Sequence, residues 1–557
     1  MKSKKILSVL MAATMVAGTM MGCGDKTSDN AGKATAKKMD KTPITFTFYD
    51  ADLTEDLDFT DDVAKEITKQ TGVTLKYTHP VGGDTQAVPL MIASGDYPDL
   101  IFAKGDTGKL VDAGALVDLS DYMNKEGDNI KKLYGNQVNR LKYSKDDESI
   151  YSVGTYGAHS AVWGNQGWFS VANDILKEQG YPQVKTLDDY EKVMREYVKK
   201  HPTTDGKKTT PLVLYASDTN GWIITGSDAA SISAGIPDDG SWAVDDNTGK
   251  ATYKFFDENV KAYFKWLNKL NADGLIDPES FTAKKDAYLA KISSGKAPFI
   301  IDANWDYNDA KTSLVGAGQL GKTYANFPLT TNANVKDVLN KDYGFGGGFG
   351  VSITTKCKDK ERAFQFLDWT ASDEAQVLLN WGIKGKHYTE ENGVRKFTPE
   401  IQKQKNSDKD FSKKTGIGKY NYPMPEQGDG VKDSKGMYYT ANDPDTYKAN
   451  YNDAEKETLK AYKKELWSDF GTKREELGTS KHGQAWQYTI ASDSDLAIIQ
   501  KKADDYAQKA TTNAILGKTA DFDKNWDEMI KKIKDMGMDK AESEMTKLVK
   551  EKTALWK

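Results

Sequence analysis

The chain has little cysteine and little histidine: two cysteines and five histidines in 557 residues. These numbers exclude a disulfide framework and a cysteine-rich zinc module. An excess of positive charge is also missing, since 77 lysines and arginines stand against 82 aspartates and glutamates, for a formal net charge of −5. A slightly acidic chain lacks the basic surface that nucleic-acid binding requires, so we expect no nucleic-acid partner.

Motifs of catalysis and of nucleotide binding are absent from the sequence as well. It contains no G-x-S-x-G, H-E-x-x-H or C-x-x-C pattern. The glycine-rich run over residues 343–350 is not followed by Lys-Ser or Lys-Thr, as a phosphate-binding loop would be. We therefore predict that the chain is not an enzyme and that it carries no cofactor and no metal.

Residues 1–22 have the parts of a secretory leader. Three lysines precede an uncharged stretch over residues 6–21, which is shorter than the roughly 20 apolar residues of a membrane-spanning helix. Cys23 follows Gly22 directly, and this arrangement resembles a bacterial lipoprotein signal. The resemblance implies a signal peptide over residues 1–22, acyl chains such as palmitate on Cys23, and a flexible tether over residues 23–42. The alternative is an ordinary leader with a chance cysteine.

The segment after the tether begins with a β-α-β pattern. Alternating apolar and polar residues predict strands over residues 44–49 and 73–77, and a helix is predicted between them over residues 60–71. Such a unit forms a parallel sheet by the right-handed crossover rule. The fold class is therefore α/β, with ligand chemistry expected at the carboxyl ends of strands.

Later segments continue this alternation of strands and helices. The predicted strands and helices are a strand over residues 98–103, helices over 186–201 (with Thr186 as the N-cap), 255–271 and 287–294, a strand over 297–302, and helices over 360–381, 452–470, 494–515 and 521–535, the last with a shorter helical extension to 553. Residues 405–450 are low in aliphatic side chains, and we interpret them as a long irregular connection.

Several short phrases, in order and spacing, resemble the extracellular solute-binding proteins of bacterial ABC importers. The resemblance is strongest to the family 1-like, LipO-type lipoproteins that are associated with oligosaccharide uptake in Gram-positive bacteria. The phrases lie at residues 93–100, 113–119, 271–277, 293–297, 381–388 and 517–526. Together they cover nearly the whole of the chain after the leader.

The resemblance implies a two-lobed, type II periplasmic-binding-protein-like fold with discontinuous lobes around a ligand cleft. We assign residues 43–160 and 325–400 to lobe 1, and residues 161–324 and 401–557 to lobe 2. It further implies a lipid-anchored monomer at the extracellular face of a Gram-positive-type cell membrane, which captures an oligosaccharide and delivers it to the permease subunits of an ABC transporter by lobe closure. Relatives often carry an acidic calcium loop after the first long helix of lobe 2. Because residues 201–210 keep one carboxylate, Asp205, we predict no calcium there.

A sugar ligand needs an aromatic plane for its C–H face and carboxylates or amides for its hydroxyl groups. The cluster after the strand over residues 299–301 offers both, in Asp302, Asn304, Trp305 and Tyr307. Trp305 is the leading candidate for a ligand contact, and packing at a corner of the lobe is its alternative. Trp222, which follows a polar loop, is either a ligand platform or a core residue.

Four further candidates lie elsewhere in the chain. Asp50 ends the first strand and either accepts sugar hydroxyls or caps a helix. Tyr156 and Trp163 lie where the chain should cross between the lobes, and Trp381 flanks a glycine turn.

Two other functions stay open from the sequence: binding of an oligopeptide or another polar solute, and a surface glycoside hydrolase that uses a carboxylate pair we cannot identify. A structural adhesin is a third.

Overall fold

The computed structural model describes residues 39–80, 86–157, 159–164, 166–345 and 347–557. The predicted signal peptide, the lipidated Cys23 and most of the predicted tether lie outside the described residues. The strands, in chain order, are β1 Ile44–Asp50, β2 Val73–Thr78, β3 Leu100–Phe102, β4 Val153–Gly154, β5 Gly167–Ala172, β6 Thr203–Thr204, β7 Lys207–Lys208, β8 Leu212–Val213, β9 Trp242–Val244, β10 Ala251–Tyr253, β11 Phe299–Ala303, β12 Tyr324–Phe327, β13 Gly350–Ile353, β14 Tyr388–Glu391 and β15 Val394–Phe397.

Helices surround these strands. In chain order they are α1 Asp62–Thr71, α2 Ala87–Ser94, α3 Thr107–Asp112, α4 Ser120–Glu126, α5 Asp128–Tyr134, α6 Asn173–Glu178, α7 Leu187–Lys200, α8 Thr219–Trp222, α9 Ala229–Ser233, α10 Glu258–Ala272, α11 Lys285–Ser293, α12 Asn304–Gly316, α13 Lys360–Thr370, α14 Asp373–Trp381, α15 Pro399–Ser407, α16 Phe411–Thr415, α17 Pro444–Asn450, α18 Asp453–Ala461, α19 Arg474–Leu477, α20 Asp495–Leu516, α21 Phe522–Asp535 and α22 Met538–Leu555. A π-helical turn, Ile223–Asp228, connects α8 to α9, and Ala485–Gln487 forms a short 3-10 turn.

The first sheet has the strand order β2-β1-β3-β13-β4. β1 runs parallel to both β2 and β3, with Ile44 opposite Val73 and Phe48 opposite Leu100. The parallel β1-α1-β2 unit predicted from the sequence is therefore confirmed. Gly72 ends α1 with a φ of 74°, and a Cβ at this position would lie 2.4 Å from the carbonyl oxygen of Lys41. Only glycine suits that backbone and that space.

The second sheet has the strand order β12-β5-β11-β8. β5 runs antiparallel to its neighbours β11 and β12, whereas β8 is parallel to β11. All five residues of β11 are buried, which is typical of a strand covered by helices on both faces. Helix α7 begins with the predicted N-cap: the Thr186 side chain accepts a hydrogen bond from Asp189 N–H, and the Asp189 side chain accepts one from Thr186 N–H.

Each sheet has its own hydrophobic core, which makes the molecule two-lobed. The first core contains Phe46, Phe102 and Ile353, and the second contains Phe169 and Phe299. The assigned lobe boundaries stay a prediction. Side chains between residues 411 and 441 pack in the first core, whereas the predicted boundaries place this range in lobe 2.

Two of the sequence-based helix predictions were wrong in detail. The predicted helix over residues 360–381 is broken into α13 and α14, because the Ser372 side chain accepts a hydrogen bond from Ala375 N–H and so starts a new helix. The helix near the C-terminus is not short: α22 spans 18 residues and α21 spans 14. Throughout the part of the chain that the structure describes, no helix combines the length and the apolar character needed to cross a membrane.

Candidate functional site

Three segments of backbone meet beside the first sheet, around Thr155. Thr155 N–H donates to the carbonyl of Phe349 at 3.0 Å, and the Thr155 carbonyl accepts from Glu426 N–H at 3.0 Å. Farther along, Ala161 N–H donates to the carbonyl of Asp429 at 2.7 Å. We call residues 155–163 and 421–430 the crossing segments. Their pairing fixes the backbone of Tyr156, which lies directly opposite Glu426.

Five aromatic side chains form a continuous series at this junction, here called the ring band. Neighbouring ring centroids are 6.4 Å apart for Tyr156 and Tyr422, 5.4 Å for Tyr422 and Phe102, 5.0 Å for Phe102 and Phe349, and 4.9 Å for Phe349 and Trp486. Phe102 belongs to the first core, whereas Trp486 sits between Ala485 and Tyr488, two buried residues of the second core. The ring band therefore extends from one lobe to the other.

The two ends of the ring band are open to solvent. Tyr156 is 41% exposed and Trp486 is 37% exposed, and both count among the large hydrophobic side chains on the surface. Aromatic faces in such positions can stack on the C–H face of a ligand while their polar atoms stay hydrated. The middle of the band, at Phe102, is fully buried.

Two carboxylates lie at the carboxyl end of β1, next to the ring band. The Tyr422 hydroxyl donates to Asp52 at 2.5 Å, and Lys104 forms an ion pair with the same carboxylate. Asp52 N–H donates to Asp50 at 2.9 Å. Burial raises the pKa of the Asp50 carboxyl to about 7. The structure places Asp50, a predicted ligand residue, close to the rings but buried inside the lobe. Asp52 lies nearer to solvent.

Two further carboxylates, Glu426 and Asp238, act on Tyr156 from other directions. Burial and the charges of Glu426, Asp52 and Asp238 all raise the pKa of the Tyr156 hydroxyl. Burial, together with the neighbouring Asp429, raises the pKa of Glu426 to about 8. The Asp238 carboxylate accepts a hydrogen bond from Gln484 Nε2 at 3.0 Å and interacts with the Trp486 side chain, and burial raises the pKa of Asp238. Carboxylates therefore accompany both exposed ends of the ring band.

A buried histidine holds the turn that carries Trp486. His482 Nε2 lies 3.1 and 3.2 Å from the two carboxylate oxygens of Asp239, and Nδ1 lies 3.1 Å from Asp246. Burial lowers the pKa of His482, but the hydrogen bonds and charges of the two carboxylates outweigh it and raise the pKa to about 9. Asp239 also accepts a hydrogen bond from Ala485 N–H at 3.0 Å, so the same carboxylate contacts both the protonated imidazole and the turn.

The cluster after β11 is divided by burial. Asp302 and Tyr307 are buried: the Tyr288 hydroxyl donates to Asp302 at 2.8 Å, and Asn326 donates to the Tyr307 hydroxyl at 3.0 Å. Burial and the charge of Asp306 raise the pKa of Asp302 well above its usual range.

Trp305, the leading candidate, is by contrast 68% exposed at the start of α12. Half-buried Asn304 precedes it, and its N–H donates to the carbonyl of Gln166 at 3.2 Å, close to where the first crossing segment enters β5. The structure therefore leaves Trp305 exposed and Asn304 half-buried, and it uses Asp302 and Tyr307 inside the lobe.

Two predicted tryptophans turn out to be core residues. Trp222 is 5% exposed, stacks on Phe255 and donates its ring N–H to Thr511 at 3.2 Å, so no ring face is left for a ligand. Trp381 is 3% exposed and packs between Tyr388 and Phe397. Both tryptophans pack in the core because they lie on the inner faces of helices. The sequence around them does not indicate which face of the helix is buried.

Trp163 lies in the first crossing segment as predicted, half-buried and in edge contact with Tyr438 at 6.3 Å. The sequence reasoning missed Tyr422, Phe349, Trp486, Asp238 and Glu426 as site residues. The run over residues 421–426, Asn-Tyr-Pro-Met-Pro-Glu, carried one usable signal, since two prolines and a tyrosine are unusual in the polar connection around them.

The loop over residues 201–210 forms the two-stranded hairpin of β6 and β7, and Lys296 Nζ lies 2.7 Å from Asp205. Across the described ranges, no cluster of three or more histidine, cysteine, aspartate or glutamate side chains could hold a metal ion.

Comparisons with known proteins agree with this architecture. Lipoprotein LipO of Bacillus subtilis is 24% identical over 78% of this chain and 82% of its own length. The fructooligosaccharide ABC transporter substrate-binding protein FusA of Streptococcus pneumoniae is 25% identical over 58% of this chain and 60% of its own length.

Solved structures share the fold. FusA in complex with kestose superposes with a TM-score of 0.67 at 19% identity, covering 92% of this chain and all of that one. The alginate-binding protein AlgQ2 without calcium ion has a TM-score of 0.65 at 18% identity, covering 93% of this chain and all of that one. A family model described as bacterial extracellular solute-binding protein matches residues 50–377, more than half of the sequence. The chain therefore belongs to the bacterial extracellular solute-binding protein family.

Proposed function

We propose that this protein is the substrate-binding lipoprotein of a carbohydrate ABC importer. It captures an oligosaccharide and delivers it to the permease subunits by closing its two lobes. Family membership supports solute binding, and the name of FusA, a fructooligosaccharide-binding relative, supports a sugar as the solute.

The observation that carries the proposal is the ring band, with both ends exposed and carboxylates at each end. Tyr156 and Trp486 present aromatic faces, and Asp52 and Asp238 present acceptors for hydroxyl groups. Stacking on a sugar's C–H face and pairing with its hydroxyl rim need this combination. Trp305, with Asn304 beside it, is a third platform in the proposal.

Lobe closure follows from the position of these groups. Phe102 lies in β3 and Asp52 follows β1 of the first sheet, whereas Trp486 and Asp238 lie within two residues of Ala485 and Ile236 of the second core. A ligand held from both sides binds the closed form more tightly than the open form and so shifts the equilibrium toward closure. The closed form presents its outer faces to the permease, and a separate ATPase supplies the energy.

The membrane anchor is part of the same proposal. Lipidation of Cys23 keeps the monomeric binding protein at the extracellular face of the cell membrane, near its permease. LipO, a relative matching most of this chain, is named as a lipoprotein, which supports this location.

The test is a thermal-shift screen of residues 24–557 against a panel of glycans, with peptides as a second panel. We expect an oligosaccharide to raise the unfolding temperature and to be recovered intact. Trp486→Ala and Tyr156→Ala should each lose that shift, whereas Tyr506→Ala, which removes a ring beside Lys532 on the C-terminal helices, should keep it. Release of new reducing ends would support a glycoside hydrolase instead, and a response to peptides alone would support the oligopeptide alternative.

A further inference from the structure

The charge around the ring band is one-sided. Four carboxylates accompany the rings: Asp50, Asp52, Asp238 and Glu426, here called the acid group. Asp52 and Asp50 lie together at the end of β1, and Asp238 is in contact with the Trp486 side chain. Glu426 lies opposite Tyr156, whose hydroxyl also senses the charges of Asp52 and Asp238. Three of these side chains, from distant parts of the sequence, act on Tyr156, and Asp50 lies next to one of them, Asp52.

The lysines that reach the acid group do not reverse its charge. Lys104 forms an ion pair with Asp52, and Lys254 lies 3.6 Å from another carboxylate, Asp228. Lys254 also attracts Asp238. Counted with Asp228, five carboxyl groups face these two lysines, so carboxyl groups outnumber the lysines beside the ring band.

Burial opposes the ionisation of these carboxyl groups. It raises the pKa of Asp50 to about 7 and of Glu426 to about 8, and it raises the pKa of Asp238 as well, so Asp50 and Glu426 gain or lose protons near neutral pH. A negative charge placed beside them has two consequences. If the carboxyl groups are ionised, they repel the negative charge of the ligand, and the protein interior screens this repulsion poorly. If they are to avoid the repulsion, they must take up protons. Both consequences weaken the binding of an anion at neutral and alkaline pH.

An uncharged sugar meets neither penalty. Its hydroxyl groups donate to carboxylates, and a protonated carboxyl can donate in return to a hydroxyl or ring oxygen. The overall fold does not decide between a neutral and an anionic sugar, since the alginate-binding protein AlgQ2 has the same architecture. The charges around the binding site decide which kind of sugar is bound.

Resting on the proposed function, we infer that the ring band and the acid group select an uncharged oligosaccharide and discriminate against polyuronates. Asp238 and Asp52 set this selectivity, because their carboxyl groups lie beside Trp486 and Tyr156. The inference concerns the class of the sugar and is independent of its linkage and length.

The experiment compares two ligands that differ only in charge. The first is the neutral oligosaccharide that gives the largest thermal shift with the purified mature protein. The second is the same oligosaccharide with its primary alcohols oxidised to carboxylates. At pH 7.5 and 0.15 M salt, calorimetry should show the oxidised form binding at least tenfold more weakly, and the gap should narrow as salt is raised, since salt screens charge.

Variants connect the selectivity to the acid group. Asp238→Asn and Asp52→Asn should each lower the ratio of the affinity for the neutral ligand to the affinity for the oxidised ligand several-fold. Each variant replaces a carboxyl group by a neutral amide of the same size. Asp505→Asn is the control: it removes a surface carboxylate on α20 that pairs with Lys501, and the ratio should not change.

The outcomes separate this inference from the proposed function. Equal or tighter binding of the oxidised ligand overturns the inference and leaves an oligosaccharide-binding protein. Unchanged ratios in both asparagine variants also overturn it. If no saccharide binds in any form, the proposed function fails and the inference fails with it.

Discussion

The carboxyl end of β11 and the crossing segments both bring rings and carboxylates together, but they differ in how those groups are satisfied. At β11, Asp302 and Tyr307 are buried and accept hydrogen bonds from Tyr288 and Asn326, respectively. At the crossing segments, Tyr156 keeps an exposed face beside the carboxylates. The same residue types therefore support the sheet in one region and stay open to a ligand in the other.

The two regions also hold their buried ionisable groups in opposite ways. Burial, reinforced by the charge of Asp306, raises the pKa of Asp302 and so opposes a charge beside the Tyr288 hydroxyl. His482, behind Trp486, is kept charged, because two carboxylates contact its two ring nitrogens. The comparison teaches that the surroundings of Asp302 oppose its charge, whereas the two carboxylates around His482 favour the charge of the imidazole. The next four experiments test this difference.

The largest expected effect is the loss of stability with rising pH through His482. Its pKa in the folded protein is about 9, against 6.5 for the free side chain. The stabilisation is therefore complete below pH 6.5 and is lost as the pH rises to about 9, by roughly 3 kcal/mol. We expect the free energy of unfolding of the native protein to exceed that of His482→Gln at pH 6 and the difference to shrink by that amount at pH 10.

Denaturant titrations at several pH values measure this difference, and the use of a variant cancels other titrating groups that the two proteins share. His482 faces Asp239, Asp246 and, through Asp246, Lys341, and all three remain in the variant. A difference that stays constant between pH 6 and pH 10 would show that the imidazole is not held charged by its neighbours.

The second effect separates stability from binding at the β11 end. Asp302→Ala removes the acceptor of the buried Tyr288 hydroxyl, and an unsatisfied buried hydroxyl costs about 2 kcal/mol. We expect the free energy of unfolding to fall by that amount and the affinity for the panel oligosaccharide to stay within about twofold.

Asn308→Ala, at an exposed position of α12, is the matched control and should change the stability by less than about 0.5 kcal/mol. A stable Asp302→Ala protein that no longer binds sugar would move the ligand site to the β11 end and would reverse the comparison.

The third effect concerns Trp305, the one side chain at the β11 end with a largely free ring. Trp305→Ala should lower the affinity for the oligosaccharide about tenfold, or about 1.4 kcal/mol, while the free energy of unfolding changes by less than about 0.5 kcal/mol. Trp305→Phe should recover part of the affinity, since a smaller ring remains. Normal binding by the alanine variant would remove Trp305 from the site and leave the ring band alone.

The smallest effect lies at the opposite end of β11, in the hairpin of β6 and β7. The ion pair between Lys296 and Asp205 is exposed, so Lys296→Ala should cost at most about 0.5 kcal/mol of stability. Because this hairpin has one carboxylate, calcium or a chelator should not change the unfolding temperature. A clear upward shift with calcium would contradict the prediction that this loop binds no cation.

Some of the fold could be predicted from local patterns. The β1-α1-β2 unit follows from alternation, from helical spacing and from a glycine that ends the helix, and the Thr186 cap follows from a polar side chain before an apolar helix. These features depend on neighbours within a few residues. The break between α13 and α14 shows the limit of such reasoning, since a single serine cap divided what periodicity predicted as one helix.

The candidate site was harder to predict because its members are distant in sequence. Tyr156, Asp52 and Tyr422 meet only after the crossing segments pair, and Trp486 reaches Phe349 from the far end of the chain. Trp222 and Trp305 follow similar polar or strand-end signals, yet one is buried and the other exposed. Burial is a property of the whole packing, and no local pattern reports it.

The sequence by itself determined the α/β class, the helix and strand units, and the residue types suited to a sugar, because short-range sterics, hydrogen bonding and hydrophobic spacing set them. Tertiary structure alone decided which rings keep a free face, which carboxylates stay beside them, and which histidine carries a buried charge. These properties depend on solvent access and on electrostatic fields, and both are set by groups hundreds of residues apart that folding brings within a few ångströms.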